Sequence, residues 1–149
     1  MKPIRGRRNQ RGSQVVEMAI VLPLLAFLAL MVTEGADFVR VHSVLNNAAR
    51  EGARLSSLQE NKGQSAGITA AVQQYITDES SGRVKGTDAT ITVDQSLQIP
   101  ADNGSGTVVI MNASKVTVSY TYTFQYLPNF MTAGVPTTLE AESEFRNFY

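Results

Sequence analysis

GSQVVEMAIVLPLLAFLALMV, residues 12–32, decides how this chain is built. Val15 to Val32 is a run of 18 residues whose single charge is Glu17. At about 1.5 Å of rise per residue, such a helix just crosses a hydrocarbon core of roughly 30 Å. A carboxylate inside a membrane helix costs roughly 2.5 to 3.5 kcal/mol on insertion scales. Two readings of Glu17 follow: it lies near the headgroups at little cost, or it pairs with a positive group in the apolar phase. Pro23 removes one backbone hydrogen bond in the same run and favours a kink, which is either a plain feature of an anchor or a local softening of it.

Upstream, Lys2, Arg5, Arg7, Arg8 and Arg11 place five cations and no acid before Gly12. By the positive-inside rule this flank stays cytoplasmic and the C-terminal part lies across the membrane. Residues 1–12 have no apolar run and read as a basic leader. A conventional signal peptide shares the basic start, but its apolar run is shorter, about 7 to 15 residues, and ends in a small-x-small cleavage site. Here the run contains Glu17 and ends in LMVTE, a poor site of that kind.

Beyond Thr33 the helical pattern continues. Phe38, Val41, Leu45, Ala48, Gly52 and Leu55 recur at alternating spacings of three and four, a narrow apolar stripe. Arg40, His42, Asn46, Asn47, Arg50 and Arg54 occupy the other side, with Asp37/Arg40 and Glu51/Arg54 as candidate i,i+3 pairs. A helix from Ser13 to Leu58 would be on the order of 70 Å long. Ala48, Ala49, Gly52 and Ala53 are small, so another part of the chain can approach closely there. That compensates the roughly 1 kcal/mol cost of a mid-helix glycine.

Gly12 followed five positions later by Glu17 and an apolar run, VLPLL at 21–25, the continuing helix and NNAAREGAR at 46–54 together resemble the TadE-like family of pseudopilins, from the tight-adherence (Tad/Flp) branch of type IV pilus systems. The likeness covers the first 58 residues in motif and the remainder in layout only. It implies cleavage after Gly12 by a prepilin peptidase, with Ser13 as the new N-terminus and Glu17 as the fifth residue of the mature chain. The Glu17 carboxylate would then neutralise the α-amino group of a neighbouring subunit's Ser13 in a low-dielectric setting. The implied partners are that peptidase, the major pilin and other pseudopilin subunits, and an inner-membrane assembly platform. The implied route runs from the inner membrane, N-terminus cytoplasmic and C-terminal domain outside, to the pilus. Under this reading Pro23 helps the helix leave the bilayer. Cleavage would leave eight cations against 13 acids, a side-chain charge of −5, so nucleic acid is not an expected partner.

The rest of the chain is read from periodicity. Residues 59–67 are polar and contain glycine, a loop. Ile68, Ala71, Val72, Tyr75 and Ile76 give a second amphipathic helix ending near Ser80-Ser81-Gly82. The period then changes to two. Ala89, Ile91 and Val93 form one strand face, and residues 100–106 are a turn cluster before a strand at 107–111. Val116, Val118, Tyr120, Tyr122, Phe124 and Tyr126 form the clearest strand, its aromatic row reading as core. Asn112-Ala113-Ser114 is either a hairpin turn or a bulge in one longer strand. After a Pro- and Gly-containing loop at 127–136, the last strand points Leu139, Ala141 and Phe145 inward and Glu140, Glu142 and Glu144 outward. The expected fold is α+β: a long N-terminal transmembrane and amphipathic helix, a pilin-like stem, with a second helix packed on a small antiparallel sheet of three to four strands. The segments are a leader at 1–12, a membrane helix at 13–33, its extracytoplasmic continuation at 34–58 and a globular domain at 59–149.

Chemistry is not what this composition offers. The chain has no cysteine and one histidine, His42, without a second ligand at metal-binding spacing. No strained Gly-x-Ser-x-Gly turn and no phosphate-cradling loop is present. The acids at 78, 79, 88, 94 and 102 do not have calcium-loop spacing. The expectation is a non-enzymatic subunit with no catalytic residues, no cofactor and no metal. The competing readings are an uncleaved single-pass protein with an extracytoplasmic binding module and a pseudopilin of a type II secretion system.

Overall fold

The structure, a computed structural model, describes residues 10–102, 104, 106, 108–125 and 137–149. The expected leader at 1–9, Tyr126 and the loop at 127–136 lie outside the described residues. One helix, α1 (Gln10–Ser56, 47 residues), dominates the chain and includes Pro23 within it. Residues 10–12, read from composition as part of an irregular leader, form its first turn. A short 3-10 turn (Gln59–Asn61) leads to α2 (Ser65–Glu79), which begins three residues earlier than its apolar pattern predicts. A second 3-10 turn (Gly86–Asp88) precedes β1 (Thr90–Asp102), β2 (Val108–Tyr122) and β3 (Thr137–Arg146).

The strands form one antiparallel sheet in the order β1-β2-β3, so the α+β expectation is met with three strands among the described residues. The aliphatic and aromatic row of β2 makes the sheet's buried face: Val116, Val118 and Tyr122 are 1% exposed or less, and Tyr120 8%. Against it pack Val41, Leu45, Ala48, Ala49 and Ala53 of α1 and Ile68, Val72 and Ile76 of α2. The row i, i+4, i+8 of α2 is fully buried, and Tyr75, half-buried, packs against the edge of the core. Ala71, expected on the same face, is turned to solvent.

The undecided Asn112-Ala113-Ser114 segment is continuous strand within β2. The irregularity sits opposite: between Asp94 and Leu97 β1 carries one residue more than its partner, so the bulge belongs to β1. Its purpose is visible in the contacts. Gln95 turns inward and donates from Nε2 to the Ser56 carbonyl at 3.3 Å and the Asn61 carbonyl at 3.0 Å, while its Oε1 accepts from Gly63 N–H at 2.7 Å. Asn61 donates to the Leu55 carbonyl and Phe148 N–H to the Ser57 carbonyl. The carbonyls left over at the buried end of α1 are thus satisfied by the Asn61 side chain just beyond the helix and, from distant segments, by the Gln95 side chain and the Phe148 backbone N–H. β1 also includes Pro100 to Asp102, so the strand runs three residues into the Pro100–Gly106 cluster expected as a turn.

Phe145 departs from expectation. Leu139 (6% exposed) and Ala141 (2%) face the core, but Phe145 is 40% exposed. It reaches beyond the apolar stripe of α1 and lies beside Asn47, Arg50, Glu51 and Arg54 on that helix's polar flank.

Candidate functional site

The membrane-facing element comes first. A helix with an 18-residue window of mean hydropathy 2.6, none of it buried against the rest of the protein, is long and apolar enough to cross a bilayer. Val15, Ile20 and Val32 are each about 70% exposed, and Leu22, Leu24 and Leu25 little less. Gly12, Ser13, Glu17 and Pro23 all lie on this free-standing part and are exposed. No contact among the described residues brings them to the globular part. An apolar surface of this size in water would be an aggregation site; in lipid it is at home.

The second element is the seam between α1 and the sheet. Ala48, Ala49 and Ala53 are fully buried, and Gly52 lies so close to its neighbours that an added Cβ would sit 2.7 Å from Val72 Cγ2 and 3.1 Å from Val116 Cγ1. Three elements therefore converge on one glycine. The small residues of NNAAREGAR face this seam, whereas its charged residues Arg50, Glu51 and Arg54 face outward. Glu51 and Arg54 form the expected pair in a two-point contact, Nε to Oε2 at 2.9 Å and a second nitrogen to Oε1 at 2.6 Å, and that contact holds the Glu51 carboxyl below its ordinary value. The expected Asp37/Arg40 pair does not form. Asp37 instead accepts from Arg83 Nε at 2.7 Å, and Arg40 reaches Ser81 Oγ at 3.2 Å. The cross-chain partner prevails because it is half-buried and can also stack on an aromatic ring, Arg83 lying 5.6 Å from the Tyr122 ring centre.

The third element joins the first two, and the sequence reading did not find it. Where α1 leaves its apolar stem, Glu34 is 2% exposed. Tyr122 O–H lies 2.8 Å from Glu34 Oε1 and 3.0 Å from Asp37 Oδ2, and Gln125 N–H approaches both Glu34 oxygens at 3.2 Å. Phe38 and Phe124 pack edge-on against Tyr122, each with ring centres 5.3 Å away. Burial, and then the hydrogen bonds with Glu34 and Asp37, push the Tyr122 phenol above its ordinary value. A cavity of about 340 Å³ opens beside this cluster between Met31, Glu34, Gly35, Phe38, Phe124 and Thr137. Glu34 and Asp37 stand i,i+3 on α1, the spacing that puts two acids on one face. That spacing was the available signal, but their partner lies 88 positions away in sequence from Glu34.

His42 is exposed and, among the described residues, its side chain hydrogen-bonds only to Asn46 one turn on, in keeping with a surface residue. No group of three or more potential metal ligands occurs among the described residues. On the outer sheet face Lys115 of β2 bridges to Glu142 at 2.8 Å and reaches Glu144 at 4.0 Å, so the acidic row is not unopposed. That pairing raises the Lys115 ammonium above its usual range.

Neither a curated protein nor a solved structure matches the chain. Residues 12–54 match the family model for TadE-like proteins. The match starts at Gly12 and ends at Arg54, so it spans the free apolar stem, Glu34 and the whole small-residue seam.

Proposed function

We propose, starting from a chain that is TadE-like over residues 12–54, that it is a non-enzymatic minor pilin or pseudopilin of a Tad-type pilus, processed after Gly12 and taking part in initiation or assembly of that pilus in surface adhesion. The observation that carries this reading is the division of α1: an apolar half that the rest of the protein leaves uncovered, joined without a break to a half that forms the core. A subunit stored in a bilayer and later moved into a fibre needs that division. Its stem is covered by lipid first and by neighbouring stems afterwards, so the apolar surface never meets water.

In this reading a prepilin peptidase cuts between Gly12 and Ser13, and the Glu17 carboxylate receives a neighbour's new α-amino group. Pro23 eases departure from the membrane. The major pilin, other pseudopilins and an inner-membrane platform are the partners, with the N-terminus cytoplasmic and residues 34–149 outside. The test is the intact mass and N-terminal sequence of the membrane-extracted protein, with and without co-expressed prepilin peptidase. The expected result is a start at Ser13 only when the peptidase is present. An intact N-terminus despite an active peptidase would sink the processing reading, and a start near residue 35 would make residues 12–32 a signal peptide.

A further inference from the structure

On the outward flank of α1, Asn47, Arg50, Glu51 and Arg54 line an open groove of about 440 Å³, to which Tyr75 of α2 and Phe145 of β3 add aromatic rings and Ser143 of β3 a hydroxyl. Its chemistry is uneven. Glu51 holds Arg54 in place, while Arg50, exposed one turn earlier, has no carboxylate within ion-pair distance among the described residues. The groove therefore carries two guanidinium groups against one carboxylate. The same molecule carries the opposite arrangement elsewhere: Glu140, Glu142 and Glu144 project from the outer face of β3, where Lys115 reaches Glu142 and Glu144, Arg146 ends the row, and Glu140 has no cation within ion-pair distance among the described residues.

The spacings match. Residues i and i+4 on a helix present side chains about 6 Å apart, and residues i and i+2 on a strand about 6.8 Å apart. Two arginines one helical turn apart thus meet two glutamates of a strand in register. Within one chain they cannot meet, because α1 lies on the inner face of the sheet and the glutamates on the outer face. We infer that the groove takes the acidic strip of a second copy of this chain: Arg50 and Arg54 engage Glu140 and Glu142 of the neighbour, and Tyr75 and Phe145 cover the aliphatic part of its strand. Because groove and strip are different surfaces, the contact is head-to-tail and leaves one of each free at the ends of any row of copies.

The contact needs neither cleavage at Gly12 nor a pilus, so it is tested on the uncleaved chain without peptidase. Two full-length copies with different tags are co-expressed, extracted in mild detergent and captured through one tag. Wild-type copies should co-purify. Arg50→Glu in both copies, or Glu140→Arg in both, should reduce co-purification by about tenfold, since like charges then face each other across the contact. One Arg50→Glu copy with one Glu140→Arg copy should restore it, because both directions of that pairing place opposite charges together. Both residues are exposed, and unchanged far-UV circular dichroism and Tm would show that the variants fold. Wild-type copies that do not co-purify would overturn the inference, as would Arg50→Glu copies that associate as well as wild type, the mark of association through the stems. A mixed pair no better than either variant alone would overturn it too.

Discussion

The two halves of α1 have one conformation and opposite surfaces. Below Thr33 most side chains are large, apolar and exposed; above Glu34 the buried stripe narrows from Val41 and Leu45 to Ala48, Ala49, Gly52 and Ala53. A helix facing lipid gains by presenting bulk, whereas a helix on which a sheet and a second helix converge gains by letting backbones approach. Identical substitutions should therefore have opposite consequences along this helix.

The largest expected difference is between Gly52→Leu and Ala26→Leu. At Gly52 even the Cβ meets Val72 at 2.7 Å. The substitution should cost about 3 kcal/mol or more by forcing the seam apart, read as a lowered midpoint of denaturant unfolding of the globular part. Ala26 is exposed, and its enlargement should leave that midpoint unchanged within about 0.5 kcal/mol. Equal losses at both sites would erase the comparison.

The two acids sharpen it. Glu34→Ala leaves Gln125 N–H without its acceptor and the Tyr122 hydroxyl with Asp37 alone, and should cost about 1 to 3 kcal/mol of folding stability. Glu17→Leu should leave folding stability untouched and improve membrane insertion by about 3 kcal/mol. Its expected loss is in pilus assembly, scored by counting sheared pili.

A smaller effect is set by pH. A phenol whose pKa is raised by folding stabilises the native state in full below its unfolded value, here 10.0. That stabilisation is lost as pH climbs through the raised native value. Tm of the wild-type protein should accordingly fall faster than that of Tyr122→Phe as pH rises above about 10, even though Tyr122→Phe starts lower by about 1 kcal/mol for its missing hydrogen bond. Parallel curves would remove Tyr122 as the responsible group. The smallest effect is expected from Lys115→Met on the solvated sheet face, where Tm should not move measurably.

What the sequence made legible follows from periodicity. The core stripe on α1, the buried rows of β2 and the acidic outer row of β3 each repeat often enough to be seen in order. Single long-range contacts were not legible. Nothing local says that Glu34 will find Tyr122, that Asp37 will take Arg83 over Arg40, or that Gln95 will be bulged inward to cap the end of α1. Ala71 and Phe145 were misplaced for a related reason. Periodicity gives the face of an element, but how far across that face the neighbour extends depends on its position in space.

The unbroken passage of α1 from stem to core has a mechanical consequence. A load applied along the stem enters the globular part through a helix lying flat on the sheet, with Gly52 and its alanines interlocked against Val72 and Val116. Pulling in that direction shears the whole seam at once instead of peeling it one contact at a time. The force needed to extract the helix is therefore shared along its buried length, and the Glu34–Tyr122 cluster, nearest the point where tension enters, bears it first.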